Sequence, residues 1–123
     1  MKAKELRIGN LITNKEGKVE KVFTLNDEWI NGYDGNAGLI PDREEDFNGI
    51  SLNKEWITNL GFINLIMSEH WIFPLVMEKD NFGWTLRIST ANGSIICSST
   101  IDYVHELQNL YFAITKKELV LRK

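Results

Sequence analysis

The sequence has little cysteine, little proline and no long apolar run. Cys97 is the only cysteine, so an intramolecular disulfide is impossible and a metal site built from several thiolates is excluded. No apolar stretch approaches the roughly 20 residues that a membrane-spanning helix needs. The start "MKAKELRIGN" lacks the apolar segment of a secretory signal peptide. The sequence therefore predicts a soluble, cytoplasmic protein with no membrane contact.

Motifs of catalysis are also missing. The sequence contains no phosphate loop of the GxxxxGK[ST] type and no GxGxxG fingerprint, and "HELQN" begins like a zinc motif but has Asn109 where the second histidine belongs. Neither His70 nor His105 has HxH or HxxxH spacing, and Cys97 sits in an apolar stretch typical of a structural thiol. We therefore expect no enzyme activity, no cofactor and no metal site.

The composition is that of an ordinary globular chain. With 123 residues, 43% of them hydrophobic, the chain is long enough for one domain with its own core. The formal net charge of -3 argues against general nucleic-acid binding. The length predicts a single domain over residues 1–123, and the pattern of strands and helices in its two halves makes it an α+β domain.

The first half, residues 1–52, carries several short apolar runs separated by Gly and Asn turns. "LRIGNLI" and "VEKVFTL" flank a turn between Asn14 and Gly17, and further short extended pieces follow from Trp29 onward. Such a run of short strands is typical of a small SH3-like β-barrel or an open meander.

The second half, residues 53–123, begins with a short bridging helix in "LNKEWITNLGF". Asn53 can cap its first turn, and Gly61 suits the left-handed residue after its end. An antiparallel meander of three strands follows, with turns at "DNFG" and at Asn92-Gly93. A long C-terminal helix then packs on the meander, and "ELVLR" is predicted to form a final strand.

The helix "VHELQNLYFAIT" has two faces. A wide apolar arc forms its core side: Tyr103, Val104, Leu107, Leu110, Tyr111 and Ile114. A second stripe at helical spacing contains His105, Gln108, Asn109 and Phe112. One interpretation is that the N-terminal half of the same chain covers Phe112, which makes the helix a buried central element. Alternatively, the stripe forms a ligand pocket or a homo-oligomeric interface centred on Gln108, Asn109 and Phe112.

Five residues are candidates for binding a small anionic ligand, because aromatic rings stack on bases and forked guanidinium donors match phosphates: Trp84, Arg87, Tyr103, His105 and Asn109. Arg87 lies on the polar side of the alternating strand "WTLRIST". A surface ion pair with Glu78 or Asp80 across the hairpin explains Arg87 equally well.

Three segments, "KAKELRIGN", "LNKEWITNLGF" and "YVHELQNLYFAITKKEL", together resemble a family of small uncharacterised proteins from gut anaerobes and their phages. Members begin with an ELRIGN-like segment and end with a YVHxLQNLYFALT-like tail. The resemblance implies a small accessory protein encoded by a phage or mobile element. It brings no catalytic residue.

Two functions follow as hypotheses. The first is a non-enzymatic protein that sequesters a small anionic ligand such as a signalling nucleotide. The second is a protein-interaction module that inhibits or adapts a host or phage protein. Both rest on the absence of catalytic residues and on the analogy with phage accessory proteins.

Overall fold

The computed structural model describes most of the chain, namely residues 5–25, 29–33, 41–43, 47–67, 75–90, 93–96, 98–119 and 121. The chain divides into two compact units. One consists of Met1–Ile50 and Tyr103–Asn109, and the other of Ser51–Asp102 and Leu110–Lys123. The sequence placed the division after residue 52, and it did not anticipate that the start of the last helix belongs with the first half.

The first unit contains a four-stranded antiparallel sheet in chain order. Its strands are β1 (Leu11–Thr13), β2 (Val19–Leu25), β3 (Trp29–Tyr33) and β4 (Pro41–Arg43). The register of β2 against β3 shifts between Val22 and Thr24. A single bridge joins Thr13 to Asn48 on the outer edge of β1. Buried Leu6, Ile12, Val22 and Phe47 form one hydrophobic cluster of this unit.

The turn between β1 and β2 follows the local signals of the sequence. The Asn14 side-chain oxygen accepts hydrogen bonds from the backbone N–H groups of Glu16 (2.9 Å) and Lys18 (3.1 Å). Gly17 adopts a φ of 84°, a left-handed conformation that glycine tolerates without steric cost. The predicted hairpin at Asn14 and Gly17 is confirmed.

The second unit contains a short helix and a second four-stranded antiparallel sheet in chain order. The helix is α1 (Lys54–Asn59), and the strands are β5 (Ile66–Met67), β6 (Leu75–Asp80), β7 (Gly83–Thr90) and β8 (Gly93–Ile96). One face of the sheet is buried through Met67, Leu75, Met77, Trp84 and Leu86. The sequence predicted three strands here and missed the two-residue strand β5.

Helix α1 begins and ends where its sequence predicts. The Asn53 side-chain oxygen accepts a hydrogen bond from the Trp56 N–H at 2.8 Å, which caps the first turn. Gly61 has a φ of 103°, and the N–H of the following Phe62 bonds back to the Ile57 carbonyl at 3.3 Å. The helix belongs to the second unit.

The last helix, α2 (Val104–Thr115), contributes residues to both units. At its start, the Glu106 carboxylate accepts a hydrogen bond from the Tyr103 N–H at 3.0 Å, which is one of the two bonds of a capping box. At its end, Lys116 has a φ of 63°, which stops the helical repeat.

The α+β class is therefore confirmed, with small antiparallel sheets and two helices. Over the described strands the first sheet has β1 and β4 at its edges and is not closed into a barrel, so the open-meander alternative describes it. The predicted final strand is absent among the described residues of "ELVLR", because Glu118, Leu119 and Leu121 lie outside any strand.

Candidate functional site

The predicted site residues separate between the two units. Tyr103, His105, Gln108 and Asn109 belong to the first unit. Trp84, Arg87 and Phe112 belong to the second. Each group is therefore described in its own surroundings.

In the first unit, Asn109 is the centre of a polar cluster. Its side-chain oxygen accepts a hydrogen bond from Arg7 Nε at 3.0 Å and another from Asn10 Nδ2 at 2.8 Å. Its amide nitrogen donates to the Glu5 carbonyl at 3.0 Å. Arg7 also donates from Nη2 to the Gln108 carbonyl at 3.3 Å. The Asn109 amide is thus used on both its donor and its acceptor side.

Gln108 holds the start of the first sheet. Its side-chain oxygen accepts a hydrogen bond from the Leu11 N–H at 2.8 Å, and its amide nitrogen donates to the Gly9 carbonyl at 3.3 Å. The residue is only 2% exposed. Because a buried amide must be hydrogen-bonded to avoid a large desolvation cost, these two bonds explain why glutamine is tolerated here.

His105 is equally buried, at 2% exposure. Its ring stacks on Tyr103 with centroids 5.6 Å apart and planes 12° apart. Its Nε2 lies 3.9 Å from the Glu5 carboxylate, beyond hydrogen-bond distance. Its Nδ1 has no hydrogen-bond partner within the described part of the protein.

Gly49 permits the close packing of this aromatic pair. A Cβ added at Gly49 would lie 2.7 Å from Tyr103 Cδ1 and 3.1 Å from His105 Cε1. Burial lowers the pKa of the His105 imidazole below its ordinary 6.5, while the nearby carboxylates of Glu106 and Glu5 act in the opposite direction. The imidazole is therefore held in its neutral form near pH 7.

These contacts assign much of the second helical stripe to the chain's own N-terminal segment. Gln108 and His105 are buried within the first unit. Asn109 is partly exposed, and its amide bonds to Arg7, Asn10 and Glu5. Of the three residues proposed for a homo-oligomeric interface, Phe112 belongs to the second unit, where it is partly exposed.

Sequence reasoning missed Arg7 and Asn10 as partners of the helix. Both belong to the "ELRIGN" segment near the start of the chain. The start segment and the tail segment bind each other in the first unit.

In the second unit, Trp84 and Arg87 lie on opposite faces of β7. They are three residues apart in a regular strand, where successive side chains alternate. Trp84 is buried, and Lys79 Nζ lies 5.8 Å from the centre of its ring. Arg87 Nε lies 3.1 Å from the Glu78 carboxylate, the ion pair expected as the alternative to an anion site. A ligand on one face of this sheet therefore reaches only one of the two side chains.

The outer face of the second sheet carries a row of side chains in register. Cross-strand pairing aligns Ile66 with Val76, Val76 with Arg87, and Arg87 with Ile96. We call these four residues the outer row. Ile66 is 42% exposed and Ile96 is 56% exposed. Three apolar side chains thus lie beside an ion-paired arginine on the face opposite the core.

Among the described residues, no three His, Cys, Asp or Glu side chains are grouped as metal ligands, and no helix is long and apolar enough to cross a membrane. No family model, curated protein or solved structure matches the chain.

Proposed function

We propose that the protein is a non-enzymatic interaction module of a phage or mobile element that binds a host or phage protein through the outer row. The observation that carries this proposal is the register of the outer row, in which Ile66 and Val76 lie side by side and Ile96 follows beyond Arg87, with Ile66 and Ile96 exposed. Contiguous apolar side chains on a surface mark interaction sites more often than single exposed ones do.

The outer row crosses all four strands of the second sheet. Adjacent strands lie about 4.8 Å apart, so four residues in register extend over roughly 14 Å. Complete burial of an isoleucine or valine side chain contributes about 1.5–3 kcal/mol. Since Ile66 and Ile96 are already partly buried, their contribution on binding is a fraction of that value.

Arg87 is compatible with such an interface. Its pairing with Glu78 neutralises the charge within the row, and its Nε also donates to Thr85 Oγ1 at 3.2 Å. Arginine is enriched in protein interfaces, where its flat guanidinium packs against apolar groups. A partner protein fits this face if it presents an apolar patch with a hydrogen-bond acceptor for Arg87 at the edge of that patch.

The proposal is tested by capture from host lysate with the wild-type chain and with Ile96→Glu. The matched control is Ile8→Glu, which places the same substitution at an exposed isoleucine of the first unit, 62% exposed. We expect a stoichiometric partner to be captured by the wild type and by Ile8→Glu, and to be lost with Ile96→Glu. Equal capture by all three chains would exclude the outer row as the binding surface.

The second candidate function, sequestration of a small anionic ligand such as a nucleotide, is supported by Tyr103. The residue remains 41% exposed while its ring stacks on His105, and such an aromatic ring is a surface on which a base can stack. Calorimetry and thermal shift with mono-, di- and cyclic nucleotides test this function. We expect Tyr103→Ala to abolish nucleotide binding. If no nucleotide at millimolar concentration stabilises the wild-type protein, this function is excluded.

A further inference from the structure

We propose that His105 controls an acid-released latch, in which residues 5–11 detach from helix α2 when the imidazole gains a proton. We define the latch as this N-terminal segment together with the helix residues that hold it, His105, Gln108 and Asn109. The inference concerns the first unit alone and is independent of the proposed function.

The three helix residues act on the same segment. They occupy positions i, i+3 and i+4 of α2 and therefore share one face of the helix. Asn109 and Gln108 bind the segment through its backbone at Glu5, Gly9 and Leu11. His105 lies one turn earlier, with its Nε2 facing the carboxylate of Glu5. A change in the charge of His105 therefore acts next to the hydrogen bonds that hold the segment.

Protonation changes both ring nitrogens into donors. In the neutral ring one nitrogen donates and the other accepts, whereas in the cation both must donate. The buried Nδ1 has no acceptor within the described residues, so its N–H would be unsatisfied. On the other side, Nε2 would gain an ion pair with Glu5. The Glu5 side chain is 52% exposed, so solvent weakens that attraction.

Charged groups from the surrounding elements act on the ring in opposing directions. Glu5 on the N-terminal segment and Glu106 on the helix favour the cation, and the amino-terminal charge disfavours it. Described residues 47–50 contribute no charged side chain. Burial is the largest influence and lowers the pKa of His105 in the closed latch.

The sign of the pH effect follows from this direction. In the open latch the imidazole is hydrated and returns toward its ordinary pKa of 6.5. The open form therefore binds the proton more readily than the closed form. The free energy that favours the closed latch is therefore fully present above about pH 6.5. It decreases as the pH falls below this value toward the lowered pKa of His105 in the closed form.

Amide hydrogen exchange measures the opening directly. The Leu11 N–H, which donates to Gln108, reports on the latch. The Ile101 N–H, which donates to the Trp84 carbonyl at 2.8 Å in the second unit, serves as the reference. Between about pH 7.5 and 5.5, we expect the protection factor of Leu11, corrected for intrinsic exchange, to fall about three- to tenfold while that of Ile101 stays constant.

Two variants separate titration of His105 from a structural role. His105→Phe keeps a flat ring against Tyr103 without a titratable group and should make the Leu11 protection factor independent of pH. Glu5→Gln removes an attraction for the cation from an exposed position. It should enlarge the fall in protection at low pH, whereas a structural role of Glu5 would leave the pH dependence unchanged. If His105→Phe does not fold, Glu5→Gln decides the question.

Three results would overturn the latch. They are constant protection of Leu11 across this pH range, a parallel loss of protection at Leu11 and Ile101, and a pH dependence that persists in folded His105→Phe.

Discussion

Arg7 and Asn109 are 102 positions apart in the chain, yet Arg7 Nε donates a hydrogen bond to the Asn109 side-chain oxygen at 3.0 Å. The same oxygen accepts from Asn10, which is itself almost completely buried. The Asn109 side-chain amide thereby holds two residues near the start of the chain, Arg7 and Asn10, in place.

Replacing Asn109 should destabilise the protein substantially. Asn109→Ala leaves the Arg7 guanidinium and the buried Asn10 amide without their shared acceptor, which costs about 1–3 kcal/mol. Urea denaturation measures the change in the free energy of unfolding. The matched control is Asn48→Ala at an exposed position, which should change stability by less than about 0.5 kcal/mol. Equal effects of the two substitutions would contradict the role assigned to the cluster.

Gly49→Ala tests the packing of the aromatic pair. The φ of Gly49 lies outside the left-handed range, so an alanine here causes no backbone strain. The loss of unfolding free energy, about 1–3 kcal/mol, must therefore come from the new Cβ, which would lie 2.7 Å from the Tyr103 ring. Combined with Tyr103→Ala, the substitution should cost clearly less than the sum of the two single changes.

Gly17→Ala is the control for that cycle. It places a side chain at a φ of +84° with no atom within 4 Å, and should cost about 1 kcal/mol through backbone strain alone. This cost should simply add to that of Tyr103→Ala. If Gly49→Ala were equally additive with Tyr103→Ala, the steric explanation would be wrong.

The ion pair between Glu78 and Arg87 should contribute little to stability. The side chains are 47% and 19% exposed, and pairs of this kind contribute less than about 1 kcal/mol. Glu78→Gln should therefore lower the unfolding free energy only slightly, and the difference should shrink further in about 1 M salt. Thermal denaturation at two salt concentrations checks this, and a loss above about 2 kcal/mol would show that the pair is effectively shielded from solvent.

Phe112 carries the prediction of self-association. It is partly exposed in the second half of α2, and burial against a second copy would remove apolar surface from water. We expect Phe112→Glu to convert an oligomer into a monomer while the fold is retained. The control is Ala113→Glu, at the neighbouring exposed position. Light scattering that shows a wild-type monomer at high micromolar concentration would refute the prediction.

The elements whose signals are local could be predicted from the sequence. The cap at Asn53, the turn at Asn14 and the left-handed Gly61 are each specified by hydrogen bonds or backbone angles within one turn of chain. The alternation of Trp84 and Arg87 likewise placed them on opposite faces of one strand. The strand β5 was missed because two residues are too few to show an alternating pattern.

The sequence by itself determined that the last helix carries a second stripe with His105, Gln108 and Asn109, because helical spacing alone places them on one face. Only the tertiary structure decided that residues 5–11 hold these side chains, and that Arg7 and Asn10 complete their hydrogen bonds. The physical reason is that spacing along a helix specifies which side chains share a face. The partner of that face depends on contacts between segments about a hundred residues apart, and no local preference of the chain encodes them.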